Sequence, residues 1–302
     1  MNHLNQIVQT SVSFALRHTP EMPGRGRIAR VVNKYFPLPA SCVTSVRMRL
    51  GHEMLVDLRS ATEFAAYYTG DYDTAAIRSV MRLLNPDSIV FDVGANIGFW
   101  SVPLARRLTQ GGRLHCFEPV PGNFERLTEN VRQNSLDRVV RVHQLGLSNR
   151  NSSAQISLRD GFGTQTGNAA IVIEEEDLKF VCVEIVLCAL DDIFDSLGEE
   201  RIDFIKADIE GHEDRFLSGA SNVIRRFRPI LYLEINEPYY HRRGLNPTDI
   251  FERWLNANSY QPALRSKTGW QLESIRKRRA VIDNAFFFPQ EIAISSIAKL
   301  NI

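Results

Sequence analysis

The chain has 302 residues, too many for a minimal domain and enough for one α/β domain with additions. Its apolar content of 44% is ordinary for a protein with a sizeable core, and 36 Lys and Arg against 35 Asp and Glu leave a formal net charge of +1. So neutral a field points to no nucleic-acid partner, and no apolar run approaches the ~18 residues of a membrane span.

The amino-terminal segment places Leu4, Ile7, Val8, Val12, Ala15 and Leu16 on one helical face. Through Ala40 it is basic, with Arg17, Arg25, Arg27, Arg30 and Lys34 against Glu21 alone. A transit peptide or a membrane-surface helix fits this pattern. A helix packed on the domain, or on a second subunit of a homodimer, fits it better. The prolines of "KYFPLPAS" then read as a linker. "SVRMRLGHEMLVDL" alternates around Gly51-His52 as a β-hairpin does. Ala75, Ala76, Val80, Leu83 and Leu84 form a helical stripe that Asn85-Pro86 stops. Residues 1–86 are therefore expected to be a cap ahead of a domain at 87–302.

From there strand and helix alternate. Strands are expected at Ile89–Val93, Arg113–Glu118, Val139–Leu145, Ile202–Asp208 and Ile230–Glu234. Helices are expected at about Gly98–Leu108, Gly122–Asn134, Glu213–Phe227 and Pro247–Asn258. Apolar strands alternating with helices imply an α/β fold, a parallel sheet covered on both faces, with ligands at the carboxyl ends of its strands. Four cysteines, Cys42, Cys116, Cys182 and Cys188, form no CxxC pair and no Cys/His cluster of zinc spacing. The last three sit in apolar runs, so buried free thiols and a reducing, cytoplasmic compartment are expected.

The first of these strands runs into Asp92-Val93-Gly94-Ala95-Asn96-Ile97-Gly98. As a dinucleotide fingerprint GxGxxG, either starting position yields one required glycine of three. No Lys-Ser/Thr follows, which excludes a triphosphate loop. Read as D/E-x-G-x-G-x-G, Asp92, Gly94 and Gly98 match, and Asn96 tolerates positive φ better than most residues. A pyrophosphate would be repelled by Asp92, whereas a cationic sulfonium would not. The second strand ends at Glu118, 24 residues beyond Gly94, near the ~20 expected for an acid that grips a ribose through both hydroxyls. The third ends in Leu145-Gly146-Leu147-Ser148, where Gly146 would let an adenine approach and Leu145 or Leu147 would wall it; His143 reads as structural.

The fourth strand, "IDFIKADIEGHEDRF", carries Lys206, Asp208, Glu210, His212 and Glu213. Buried charges must pair, and strand periodicity puts Lys206 and Asp208 on one face. The fifth adds Glu234, Asn236 and Glu237, so Asp208, Glu210 and Glu234 are expected to meet in one cleft.

Taken together, "FDVGANIGFWSV", "CFEPVPGNFERLTENVRQN", "GLSN", "LDDIF" and "DFIKADIEGHE" resemble the FkbM family of S-adenosylmethionine-dependent methyltransferases, over roughly Ser45 to Pro289. "GDYD" and "NAFFFP" also fit. The resemblance implies a Rossmann-like, class I methyltransferase fold, a seven-stranded, mostly parallel sheet with an antiparallel last strand. Tyr260–Leu264 and Asn284–Phe288 would close that sheet. It implies S-adenosyl-L-methionine as cofactor and methyl transfer, often to a hydroxyl of a sugar or polyketide. Asp92, Gly94 and Glu118 match donor-binding positions, with Asn96, Gly98, Gly146 and Leu147 beside them. Asp208 and Glu210 match the active-site motif, while His212 falls at a variable position.

An alcohol acceptor must lose a proton, and a carboxylate or a His could take it. Asp208 or Glu210 is the first choice of base and His212 the second, with Lys206 and Glu234 in support. Two alternatives stay open: a divalent metal on Asp208, Glu234 and Asn236, and a catalytically silent cofactor-binding module. The insert at about 149–188 is too long for a simple loop and should hold two or three strands. Its glycine-rich "RDGFGTQTGN" reads as a closing flap or a hairpin tip, and "EEED" at Glu174–Asp177 as a solvated turn. Arg265, Lys267, Arg276, Lys277, Arg278 and Arg279, with Trp270 among them, read as a solvated loop or as a platform for an anionic sugar acceptor.

Overall fold

The computed structural model describes residues 3–18, 25–36, 43–158, 169–172, 175–278 and 280–301. From the amino end come helices α1 (His3–His18) and α2 (Arg25–Tyr35), the antiparallel pair β1 (Val43–Arg47) and β2 (Glu53–Asp57), and helices α3 (Ala61–Thr69) and α4 (Thr74–Leu83). Then follow β3 (Ile89–Val93), α5 (Ser101–Ala105), β4 (Arg113–Phe117), α6 (Pro121–Gln133) and β5 (Val140–His143). Next come β6 (Gly146–Ser148) and, in the insert, β7 (Ser152–Leu158), β8 (Ala169–Ile171) and β9 (Val181–Ala189). Beyond it lie α7 (Leu190–Ile193), β10 (Phe204–Ala207), α8 (Glu213–Gly219), α9 (Ser221–Phe227), β11 (Ile230–Asn236) and α10 (Glu237–Arg242). The chain closes with α11 (Pro247–Asn258), β12 (Tyr260–Ser266), β13 (Gly269–Leu272), β14 (Ile282–Pro289) and α12 (Ala293–Leu300).

The main sheet runs β13-β12-β14-β11-β10-β3-β4-β5. β5, β4, β3, β10 and β11 are parallel, and β14 inserts antiparallel between β11 and β12. These are the seven strands expected, with the last one antiparallel. β13 adds an eighth at the edge by turning back on β12. Side chains alternate across the sheet as the pleat requires. Phe91, Phe117, Ile205, Leu231 and Phe287 pack with Phe216, Ile224, Phe251 and Leu255 on one face. Val90, Leu114, Phe204, Tyr232 and Phe286 pack with Trp100, Leu104, Leu127 and Trp270 on the other. Val46, Met54, Val56, Ile77 and Val80 belong to that second cluster, so the hydrophobic core runs across the change of pattern at residue 86.

Two helices differ from expectation for identifiable reasons. α5 is only five residues long, because Pro103 has no N–H to donate and the turns after it tighten to Arg107 N–Leu104 O and Leu108 N–Ala105 O bonds. The helix expected over Glu213–Phe227 is broken at Ala220. A Cβ on Gly219 would lie 2.0 Å from the Ser148 carbonyl, so α8 ends where it meets β6. Asp191 then accepts the Asn222 and Val223 N–H groups and starts α9.

The three strands of the insert join β6 in a separate four-stranded sheet, β6-β9-β7-β8, over Val120. "RDGFGTQTGN" lies outside the described residues. Asp177 is no solvated turn: it is buried and holds Arg242 at 2.8 Å. Among the expected buried thiols, Cys116 is fully buried, whereas Cys182 and Cys188 are half-buried, since β9 turns one face of its residues outward. Cys42 lies outside the described residues.

At the amino end, α1 packs on α3 through Val12 and Leu16 against Phe64 and Tyr68. Its buried face also takes Gln9, which accepts from the Tyr68 hydroxyl, and Ser13. Ile7 and Ala15, expected on that face, point outward. The polar residues win because each finds a partner inside.

Candidate active site

In the sheet, β3 lies between β4 and β10, the point where the strand order reverses. Open α/β sheets bind ligands there, at the carboxyl ends. A cavity of about 250 Å³ occupies that position. Gly94, Asn96, Glu118, Gly146, Leu147, Lys206, Asp208, Glu210, His212 and Glu234 all line it. Asp92, Gly98 and Asn236 do not.

The glycine turn explains its own spacing. Gly94, Asn96 and Gly98 all have positive φ, at 74°, 52° and 98°. A Cβ on Gly94 would sit 2.1 Å from the Asp208 carbonyl. Asn96 tolerates the left-handed region because its Oδ1 accepts the Ile97 N–H locally. Its own N–H donates to Glu118 at 2.8 Å, which ties the turn to the end of β4. Glu118 also accepts from the Val120 N–H and Asn123 Nδ2. Burial pushes its carboxyl up to about 7 against these bonds. A carboxylate has about four acceptor sites, of which these bonds take three.

Asp92 stands behind the turn, wholly buried. It accepts from Ser101 Oγ at 2.6 Å and faces Lys206 Nζ at 3.3 Å. The pairing follows from register, since Asp92 and Lys206 are direct partners on β3 and β10. The ammonium also reaches the Gly94 carbonyl at 3.2 Å and Asp208 at 3.6 Å. Burial pulls Lys206 down, but the Asp92 and Asp208 carboxylates together hold it above the usual lysine value. Asp92 is thus neutralised by the protein itself and organises the turn from behind. Gly146 lines the cavity, and a Cβ there would also meet the Leu187 side chain at 2.8 Å.

Past the end of β10, Asp208, Glu210 and Glu234 bring one oxygen each within 4.8 Å of one another. Glu210 holds φ at 53°, a left-handed conformation that costs about 1–2 kcal/mol for a residue with a Cβ. Strain of this order collects at functional sites. Burial first, then the Asp208 charge, pushes Glu210 up to about 8. The same causes push Glu234 up to about 10, and its Oε2 is buried without a hydrogen bond among the described residues. Asn236 turns its Nδ2 to Glu210 at 3.1 Å rather than lining the cavity. His212 is buried, bonds Ser148 Oγ at 2.9 Å, and is driven down to about 4 by burial. Glu213 is structural: it accepts from the Ile209 N–H, ahead of α8, and from the Tyr240 hydroxyl.

Sequence reasoning missed three parts of the wall. Tyr72, in "GDYD", stacks on Phe99 at 4.3 Å and feels the charges of Asp208, Glu234 and Glu210. Ser60, Thr62 and Glu63 enter from the start of α3, with Glu63 clamped by Arg126 at 2.8 Å. Ile156, Ile171, Ile185 and Leu187 come from the inserted sheet. Only Tyr72 left a signal, its place in the acidic "GDYD" turn; nothing in an alternating strand says which cavity it will face.

Among the described residues of the basic loop, Trp270 offers no stacking face and three of the cations are paired. Trp270 is in the core, edge-on to Phe286 at 4.6 Å, with its Nε1–H on Ser79. Arg278 is paired with Glu237, Arg276 with Glu252 and Asp249, and Lys277 with Glu273. Arg279 lies outside the described residues. The cavity itself is lined by five carboxyl groups against the one ammonium of Lys206.

Among known proteins, the chain is 31% identical to methyltransferase sdnD of Sordaria araneosa, over 49% of this chain and 63% of that one. It is 26% identical to hexuronic acid methyltransferase AglP of Haloferax volcanii, over 58% and 64%. It is 28% identical to 2-O-methyltransferase NoeI of Sinorhizobium fredii, over 53% and 68%. The chain spans less than two thirds of the length of the first two. From the acid of the glycine turn into β12, residues 92–262 match the model of the methyltransferase FkbM domain, and the chain belongs to that family.

Proposed function

We propose that the chain is an S-adenosylmethionine-dependent methyltransferase that acts on a hydroxyl of a sugar, glycan or polyketide-like small molecule. The observation that carries this reading is the single cavity joining the glycine turn to Asp208, Glu210 and Glu234. Family membership and the 2-O-methyltransferase among its relatives support it.

The residues present fit the cofactor. An acid-lined cavity suits a cationic sulfonium and ammonium, and Leu147, Ile185 and Leu187 offer an apolar wall to a flat base. Gly94, Asn96 and Glu118 would hold its polar groups. Bound there, S-adenosylmethionine supplies a methyl group activated for displacement. The chain's own part is to fix the acceptor oxygen in line and to take its proton. Glu210 is the base best matched to that task, because a pKa of about 8 lies near working pH. Asp208 and Glu234 line the same wall and orient the acceptor. His212, at about 4, is too weak a base to lead.

A metal-assisted version draws on the same three carboxyls. The metal-free version is favoured, because Lys206 already faces Asp208 at 3.6 Å. Transfer of labelled methyl from S-adenosylmethionine into small molecules of a cell extract tests the function. Product that forms with wild type and fails with Glu210→Gln supports it. Cofactor binding without any product would leave a silent binding module.

A further inference from the structure

The amino-terminal helices keep an apolar surface that the fold does not use. On α2, Ile28, Val31 and Tyr35 are 48%, 56% and 69% exposed. Their spacing of three and four places them on one helical face, opposite Ala29, which is buried against α3. On α1, Ile7 and Phe14, two turns apart, are 55% and 63% exposed. A domain with its own core has no reason to turn five large apolar side chains of two short helices outward.

Charge decides what covers them. Arg27 and Lys34 are exposed beside the α2 face, and the Lys34 ammonium lies 5.9 Å from the Tyr35 ring. Across residues 1–42 the sequence carries five Lys and Arg against the single Glu21. A second copy of the chain would bring the same patch against itself, as a two-fold interface must, and would set these cations against one another. A polyanion alone would leave Phe14, Ile28 and Val31 in water. An anionic bilayer surface satisfies both features: apolar side chains enter the boundary of headgroups and acyl chains, while the cations meet the lipid phosphates. No helix among the described residues is long and apolar enough to cross a membrane, so the contact is peripheral. We propose that α1 and α2 form a docking surface for an anionic lipid bilayer.

The test is co-sedimentation of the full chain with vesicles of phosphatidylcholine alone and of phosphatidylcholine mixed with phosphatidylglycerol. Wild type should sediment with the mixed vesicles and stay in solution with the neutral ones. Each basic residue near such a surface contributes about fivefold, so Arg27→Glu with Lys34→Glu should weaken binding by roughly 25-fold or more. Phe14→Asp with Val31→Asp should also abolish it. These four side chains lie outside the core, so an unchanged melting temperature separates lost docking from lost fold. Equal binding to neutral vesicles, or none to mixed ones, would overturn the proposal. So would a concentration-dependent dimer in sedimentation equilibrium that Val31→Asp dissociates, since the face would then belong to a second copy. Free glycerol phosphate that competes fully with the vesicles would also overturn it, by assigning the charges to a soluble anion.

Discussion

Lys206→Met removes the ammonium that lies 3.3 Å from Asp92 and 3.6 Å from Asp208. Asp92 is wholly buried, so water cannot replace the lost partner. Removing one member of a buried pair costs about 3–5 kcal/mol. At about 2–4 °C per kcal/mol for a domain of this size, melting should fall by roughly 6–20 °C. Asp92→Asn combined with Lys206→Met removes both charges and should recover about 1–3 kcal/mol of the sum of the single effects. Thermal and urea melts of the four proteins complete the cycle. Additive single effects, or a Lys206→Met melting point within about 2 °C of wild type, would refute the claim that this pair holds the turn.

Gly94→Ala places a methyl 2.1 Å from the Asp208 carbonyl at a φ of 74°, so it should abolish binding of S-adenosylhomocysteine while the far edge of the sheet stays folded, as calorimetry and circular dichroism would report. Turnover should rise as pH passes through about 8, where Glu210 loses its proton, and Glu210→Gln should flatten that profile and lower kcat by about 10²–10⁴. Glu234 is held far above its unfolded pKa, so it lowers stability as pH rises from its unfolded value toward about 10. Urea melts at about pH 6 and about pH 9 should therefore show a loss for wild type that Glu234→Gln lessens. Dialysis against EDTA should leave turnover intact, and a loss restored by magnesium would move Asp208, Glu210 and Glu234 from base to metal ligands.

The sheet was legible because buried parallel strands leave unbroken apolar runs, and Ile89–Val93 appears in the fold with the bounds expected of it. Acids and glycines at the ends of such runs stand out for the same reason, which is why the lining from Gly94 to Glu234 was found. What those residues touch was not legible. Asp92 reads as a ligand for a cation, yet its cation is Lys206, brought opposite by strand register across 114 residues of chain. Gly146 reads as room for an adenine, and nothing local announces that Leu187 of the inserted sheet packs beside it. Trp270 among arginines reads as a stacking platform, yet β13 turns the ring into the core. In each case local pattern named a chemically unusual residue, and long-range packing decided its partner.

Titration of S-adenosylhomocysteine into the purified chain tests the central claim most directly, with NAD as the control ligand. One molecule should bind per chain, the Gly94→Ala protein should give no heat, and NAD should give none with wild type. Absence of heat with S-adenosylhomocysteine, binding that Gly94→Ala leaves unchanged, or preferential binding of NAD would contradict it.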